Sequence, residues 1–182
     1  MEPGLTPADG SVDGKQWNVV GHTYTPKLHS ENAMIWHAII PDGTGVPPHI
    51  HPTQDEWIVM LTGNLEVEFG ADVHKAGPGD TIKMPMGVAH GIFNRSGAEA
   101  TCVFGVAPSR KLFDLFGKLD GVTDPEELVR ISAEHEVDFL PCEFDTEFRC
   151  EHPYDMRIWP DRILYSHSPP RVADWLIVGI RL

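Results

Sequence analysis

Apolar positions along this chain recur mostly at a spacing of two. Over 33–40, Met34, Trp36 and Ala38 fall on one face of an extended strand and Ile35, His37 and Ile39 on the other. Trp57-Ile58-Val59-Met60-Leu61 is an unbroken apolar run, which predicts a strand buried on both faces. Leu65-Glu66-Val67-Glu68-Phe69 alternates cleanly, with the glutamates expected outward. Further strands are predicted at 17–25, 81–84, 88–94 and 100–106, joined by Gly- and Pro-rich turns such as Thr62-Gly63-Asn64 and Gly77-Pro78-Gly79-Asp80. Many short strands with such turns predict an all-β antiparallel sandwich or barrel.

After Pro108 the period lengthens. Leu112, Leu115, Phe116 and Leu119 follow a helical spacing, and Gly121 ends that helix. Thr123-Asp124-Pro125-Glu126 reads as a capping box with Thr123 as the cap, opening a second helix that runs to about Glu136 and buries Leu128 and Ile131. The expected organisation is a loose arm over 1–15, a barrel over 16–108, a helical extension over 109–137 and an irregular segment over 138–182. That last segment holds Phe139, Phe144, Phe148, Tyr154, Trp159 and Tyr165, and ends in a strand-like tail over 174–182, expected to pack on the barrel or on a homodimer partner.

Length and charge narrow the partners. A chain of 182 residues suits one domain, and there is no internal repeat of the barrel. A formal net charge of −13 argues against nucleic acid and against anionic membrane surfaces. No apolar run reaches the roughly 20 residues of a bilayer span, and the first residues lack a secretory pattern, so a cytoplasmic location is expected. Of the three cysteines, Cys102 reads as a small buried hydrophobe, and Cys142 and Cys150 as thiols rather than a bridge.

The candidate chemistry lies between Gly43 and Asn94. His49 and His51 are two apart, so an extended strand projects both rings to one side. Glu56 follows a bend at Pro52, and His90 comes from a distant strand; strand geometry can bring all four together. Gly43, His49, His51, Glu56 and Gly63 fit the pattern G-x5-H-x-H-x(3,4)-E-x6-G. Gly79, Pro85, Gly87, His90 and Asn94 fit G-x5-P-x-G-x2-H-x3-N. All ten positions resemble the two cupin motifs, and the stretch from about Trp17 to Phe116 is similar to the single-domain, quercetinase-like cupins. The resemblance implies a double-stranded β-helix, that is, a jelly-roll or cupin barrel, with His49, His51, Glu56 and His90 as ligands of one divalent transition metal. Such ligands suit Mn, Fe, Co, Ni, Cu or Zn alike.

Strand parity places Ile58 and Met60 with Glu56, and Ile92 with His90, so an apolar pocket for a planar or aromatic substrate is expected. Lone strand histidines such as His37 and His74 are usually surface or satisfied core residues; His37 is kept as a candidate for the pocket wall. Asn94 is expected to fix a turn. The first functional expectation is a metal-dependent dioxygenase acting with O2 on an enol, phenol or diketone, with Glu56 as base. The alternatives are a non-redox isomerase, cyclase or lyase using the metal as Lewis acid, and a cupin that binds a small ligand without catalysis.

Overall fold

A computed structural model of the chain describes residues 3–140. The strand-like tail, Cys142, Cys150, Tyr154 and Tyr165 lie outside the described residues. Eleven strands and two helices follow one another: β1 (Trp17–Val19), β2 (His22–His29), β3 (Met34–Ile40), β4 (Thr44–Ile50), β5 (Asp55–Thr62), β6 (Leu65–Phe69), β7 (Asp72–Ala76), β8 (Thr81–Met84), β9 (His90–Asn94), β10 (Ala100–Ala107), α1 (Leu112–Leu119), α2 (Pro125–Glu134) and the two-residue β11 (Asp138–Phe139). They form a six-stranded sheet in the order β1-β2-β3-β10-β5-β8 and a five-stranded sheet in the order β11-β4-β9-β6-β7. Every pairing is antiparallel. This is the expected all-β jelly roll, and its core is the apolar side chains between the two sheets.

Parity decides which side chains enter that core. In β3, Met34, Trp36, Ala38 and Ile40 are buried and the intervening residues only partly so. Cys102 is fully buried in β10, and burial raises its thiol to about 12. Asn94 donates to the carbonyls of Ile40 and Ala98, while Ser96 donates back to its side-chain oxygen, so the residue fixes a turn as expected.

Four local readings are corrected. The run Trp57–Leu61 is buried on one face only: Ile58 and Met60 point inward, while Leu61 is 45% exposed. Trp57 lies flat across the outer face, over Gly105 of the neighbouring strand, where a Cβ would stand 2.3 Å from the indole. An apolar run can therefore mark one buried face plus an aromatic cover. In β6, Glu68 is buried rather than exposed, because Arg95 reaches both it and Glu66 at 2.9 Å. The first predicted strand is a hairpin: Val20 and Gly21, at φ 49° and 81°, make a two-residue turn between β1 and β2. Two consecutive positive φ values suit the favoured hairpin turn, but a β-branched residue is an unusual occupant, so the sequence gives no turn signal there. Finally, Asp124 rather than Thr123 caps α2, its carboxylate accepting from the amides of Glu126 and Glu127, with Pro125 as first helical residue.

The helical extension covers one end of the barrel. Leu112, Leu115, Phe116 and Leu119 bury the expected face of α1. Phe116 packs against Trp17, Tyr24 and Trp36. In α2, Ile131 is buried and Leu128 packs at the margin. β11 then joins β4 through Asp138 opposite Ile50 and Phe139 opposite His49. The N-terminal arm is fastened by Lys27, whose ammonium donates to the carbonyls of Pro7, Ala8 and Gly10.

His22 is fully buried on β2, and burial lowers its pKa to about 3. The folded protein therefore resists a proton that the unfolded chain accepts near pH 6.5. Stability from this group is complete above that pH and is lost as pH falls from 6.5 toward 3, by about 1.4 kcal/mol per unit. Equilibrium denaturation of the metal-free protein between pH 7 and 4 should show a shallower loss for His22→Gln than for the wild type. Equal slopes would show that His22 does not contribute.

Candidate metal centre

Three strands from two sheets converge on the site. His49 closes β4 and is the cross-strand partner of His90, which opens β9. The pairing of β4 with β9 shifts register between Val46 and His49, where Pro47 and Pro48 cannot donate to a ladder. His51 follows β4 directly, and its carbonyl accepts from the amide of Gly87. Glu56 enters from β5 in the other sheet. The four side chains are buried, and one ligand atom from each lies within 4.8 Å of the others. The structure thus brings His49, His51, Glu56 and His90 together.

Hydrogen bonds orient the rings. His49 Nδ1–H donates to the Pro47 carbonyl at 2.9 Å, and His90 Nδ1–H to the Val88 carbonyl at 2.9 Å. His51 Nδ1–H donates to Gln54 Oε1 at 3.1 Å. The orientation of Gln54 is fixed in turn, since its Nε2 donates to the carbonyls of Pro108 and Ser109. With each Nδ1 committed, the Nε2 lone pairs are free for a cation. His51 and His90 present Nε2 to Glu56 Oε2 at 3.3 and 3.0 Å. Lone pair facing carboxylate is repulsive unless a positive charge lies between them. Two ligands at right angles around an ion at about 2.1 Å stand about 3 Å apart, so these separations fit a transition metal.

Electrostatics point the same way. Burial, with His90 and His51 nearby, holds His49 well below the usual imidazole range despite its bond to Pro47, leaving a neutral ligand. Burial pushes the Glu56 carboxyl up, but His51 and His90 outweigh it and hold the group below its ordinary value. Three imidazoles and one carboxylate are a donor set for a divalent transition metal.

The cluster opens into a cavity of about 50 Å³ between the sheets and the helical extension. Its wall is largely apolar, including Val20, Trp36, Phe104, Leu115, Phe116 and Phe139. Ile92 lines it as expected. Ile58 and Met60 are buried in the core outside that wall. His37 does not join the site: it sits on the opposite face of β3 from Trp36, half-buried, where burial and Lys27 lower its pKa. Tyr24 is one of three tyrosines that could reach a pocket; Gln54, Trp36 and the residues of α1, α2 and β11 are not expected at the site or on its wall from the sequence. Gln54 occupies a variable place inside the first motif, and the others reach the cavity only through tertiary packing.

The family model described as Cupin domain matches residues 36–105, which include all four clustered side chains. Among solved structures, KdgF from Halomonas sp. is 18% identical, with 62% of this chain and 99% of that one covered and a TM-score of 0.54. An RmlC-like cupin from Shewanella frigidimarina is 14% identical, with 62% and 96% covered and a TM-score of 0.54. At these identities the likeness shows the fold alone. A search of curated proteins gives no match.

Gln54→Leu keeps the bulk of the side chain and removes the acceptor that orients His51. Metal affinity should fall about 10–100-fold, as for other partners of metal-binding histidines. Competition with a chelator of known affinity measures this; unchanged affinity would show that His51 needs no such support.

Proposed function

We propose that this cupin domain is the core of a metal-dependent dioxygenase acting on a small enol, phenol or diketone. The observation that carries the reading is a buried three-histidine, one-carboxylate cluster, with every Nδ1 already bonded, opening onto an apolar cavity. His49, His51, Glu56 and His90 would hold the metal, which would supply Lewis acidity toward a substrate oxygen and redox access to O2. Glu56, held ionised, accepts the hydroxyl proton of the substrate. The apolar wall excludes water and favours a flat, weakly charged body. Among the described residues no lysine or arginine lines the cavity, which disfavours a sugar phosphate. At roughly 10–15 Å³ for each water, a volume of about 50 Å³ holds about three to five waters, which suits a short chain and not a three-ring flavonol.

A second reading, a non-redox isomerase or lyase, is favoured by Tyr24. This residue lines the cavity, its hydroxyl lies 3.0 Å from His22 Nδ1, and burial holds its pKa well above the ordinary value. Such a group keeps its proton and can donate a hydrogen bond to a developing oxyanion. Oxygen uptake by metal-loaded protein with small phenols, enols and β-diketones separates the two readings. Conversion with O2 consumption supports the dioxygenase; conversion without it supports the second reading; no conversion of any compound counts against both. Under either reading, Glu56→Gln should retain much of its metal and lose turnover by roughly 10²–10⁴-fold. A metal-loaded variant with near wild-type turnover would rule out Glu56 as base.

A further inference from the structure

The outer faces of the two sheets differ in charge. On the five-stranded sheet, β6 and β7 turn Glu66, Glu68, Val73 and Lys75 to one side, where Arg95 binds both glutamates. On the six-stranded sheet, the outward positions of β3, β10 and β5 carry Ile35, Ile39, Val103, Trp57, Val59 and Leu61. The sole Asp, Glu, Lys or Arg among those positions is Asp55, at the end of β5, where its carboxylate accepts from the Met86 amide. Val103 stands at the centre of the face, opposite His37 on one side and Val59 on the other. Charge returns only at the margins. Lys83 of β8 lies beside Trp57, and Lys27 of β2 gives its ammonium to the carbonyls of the N-terminal arm. Contiguous apolar surface rimmed by polar groups marks a contact site.

Charge also says what fits there. Two copies of this chain carry a formal charge of −13 each, and they repel where their carboxylates approach within a Debye length, about 8 Å at physiological salt. The outer face of the six-stranded sheet is where two copies can meet with least repulsion. Its apolar centre holds a tryptophan, and Thr25, Thr81 and Lys83 supply a polar rim, the usual anatomy of an interface. The strands β2, β3, β10 and β5 are seven or eight residues long. At about 4.8 Å between strands and 3.3 Å per residue they span about 19 by 25 Å, or about 500 Å² in plan. Side-chain relief, β8 and the rim bring this toward the roughly 800 Å² that each partner of a standard interface contributes. We propose that this face is the contact between two copies of the chain, packed sheet on sheet about a two-fold axis near Val103. The ligand cluster lies on the inner side of the same sheet and stays clear of the contact.

Sedimentation equilibrium of the full chain tests this, with circular dichroism to establish folding of each variant. The wild type should be a dimer that tightens between about 0.05 and 0.5 M NaCl, because salt screens the net repulsion and the apolar centre holds no ion pair to weaken. Val103→Glu brings two carboxylates together across the axis and should weaken the dimer at least about 100-fold. Leu61→Glu, at a position already 45% exposed, should weaken it about tenfold and keeps the test decisive should the first variant fold poorly. Val73→Glu, on the other sheet, should change it less than about twofold. A wild type that stays monomeric at about 100 µM would assign the face to another occupant and overturn the inference. So would a dimer that loosens with salt, one that the folded Val103→Glu or Leu61→Glu protein keeps unchanged, or one that Val73→Glu breaks equally.

Discussion

A carboxylate and three imidazoles shut inside an apolar barrel have to satisfy one another, and much of this structure follows from that requirement. Two of the rings fold back on the carbonyl two residues earlier, His49 on Pro47 and His90 on Val88. The third, His51, bonds Gln54 instead. Gln54 in turn grips Pro108 and Ser109, where the chain leaves β10 for α1. The site is thereby tied to the start of the helical extension as well as to both sheets. Glu56 alone comes from the six-stranded sheet, so its hold on the histidines fixes the distance between the layers. Removing one partner from such a set leaves the others buried and uncompensated, which costs far more than losing an exposed pair.

What the sequence reveals depends on whether the deciding contact is local. Strand parity in β3 is set by neighbours two residues apart, so Met34, Trp36 and Ala38 were legible as core. The ligand cluster was legible because its spacing and glycine turns are themselves the signal. Glu68 was not, because its burial depends on Arg95 from the turn after β9. Trp57 was not, because its place outside the sheet depends on the missing side chain of Gly105 on the adjoining strand. The cap of α2 turned on a choice between adjacent side chains, and Asp124 wins because it stands directly before the proline that opens the helix. The pocket was the least legible part. Its wall combines side chains from both sheets with α1, α2 and β11, and strand parity says nothing about which buried residues face empty space.

The helical extension changes what the barrel can do. A bare barrel end would leave the His49, His51, Glu56 and His90 cluster open to water. Here Phe139 stands 5.5 Å from the His49 ring, and Val137 and Leu128 line the cavity from the same side. Desolvation of this kind strengthens each electrostatic interaction in the site and limits the size of what can enter. The segment is anchored by the buried faces of α1 and α2, by a two-residue ladder on β4, by the Leu140 amide on the Pro48 carbonyl and by the bonds of Glu136 to Thr53 and Lys111. The shape of the cavity is therefore set as much by the chain after the barrel as by the barrel.

The pairing of His49 with His90 across two strands has a further consequence, for assembly rather than chemistry. Side chains alternate between faces along a strand, so a slip of one residue between β4 and β9 would turn His90 away from the interior. A comparable slip of β5 would do the same to Glu56. Only the native alignment of three strands in two sheets makes the complete ligand set. An ion that binds this set and not its misaligned versions adds its binding free energy to the native alignment alone. The metal centre would then serve as a proofreader of strand register, rewarding the correctly paired barrel before any substrate arrives.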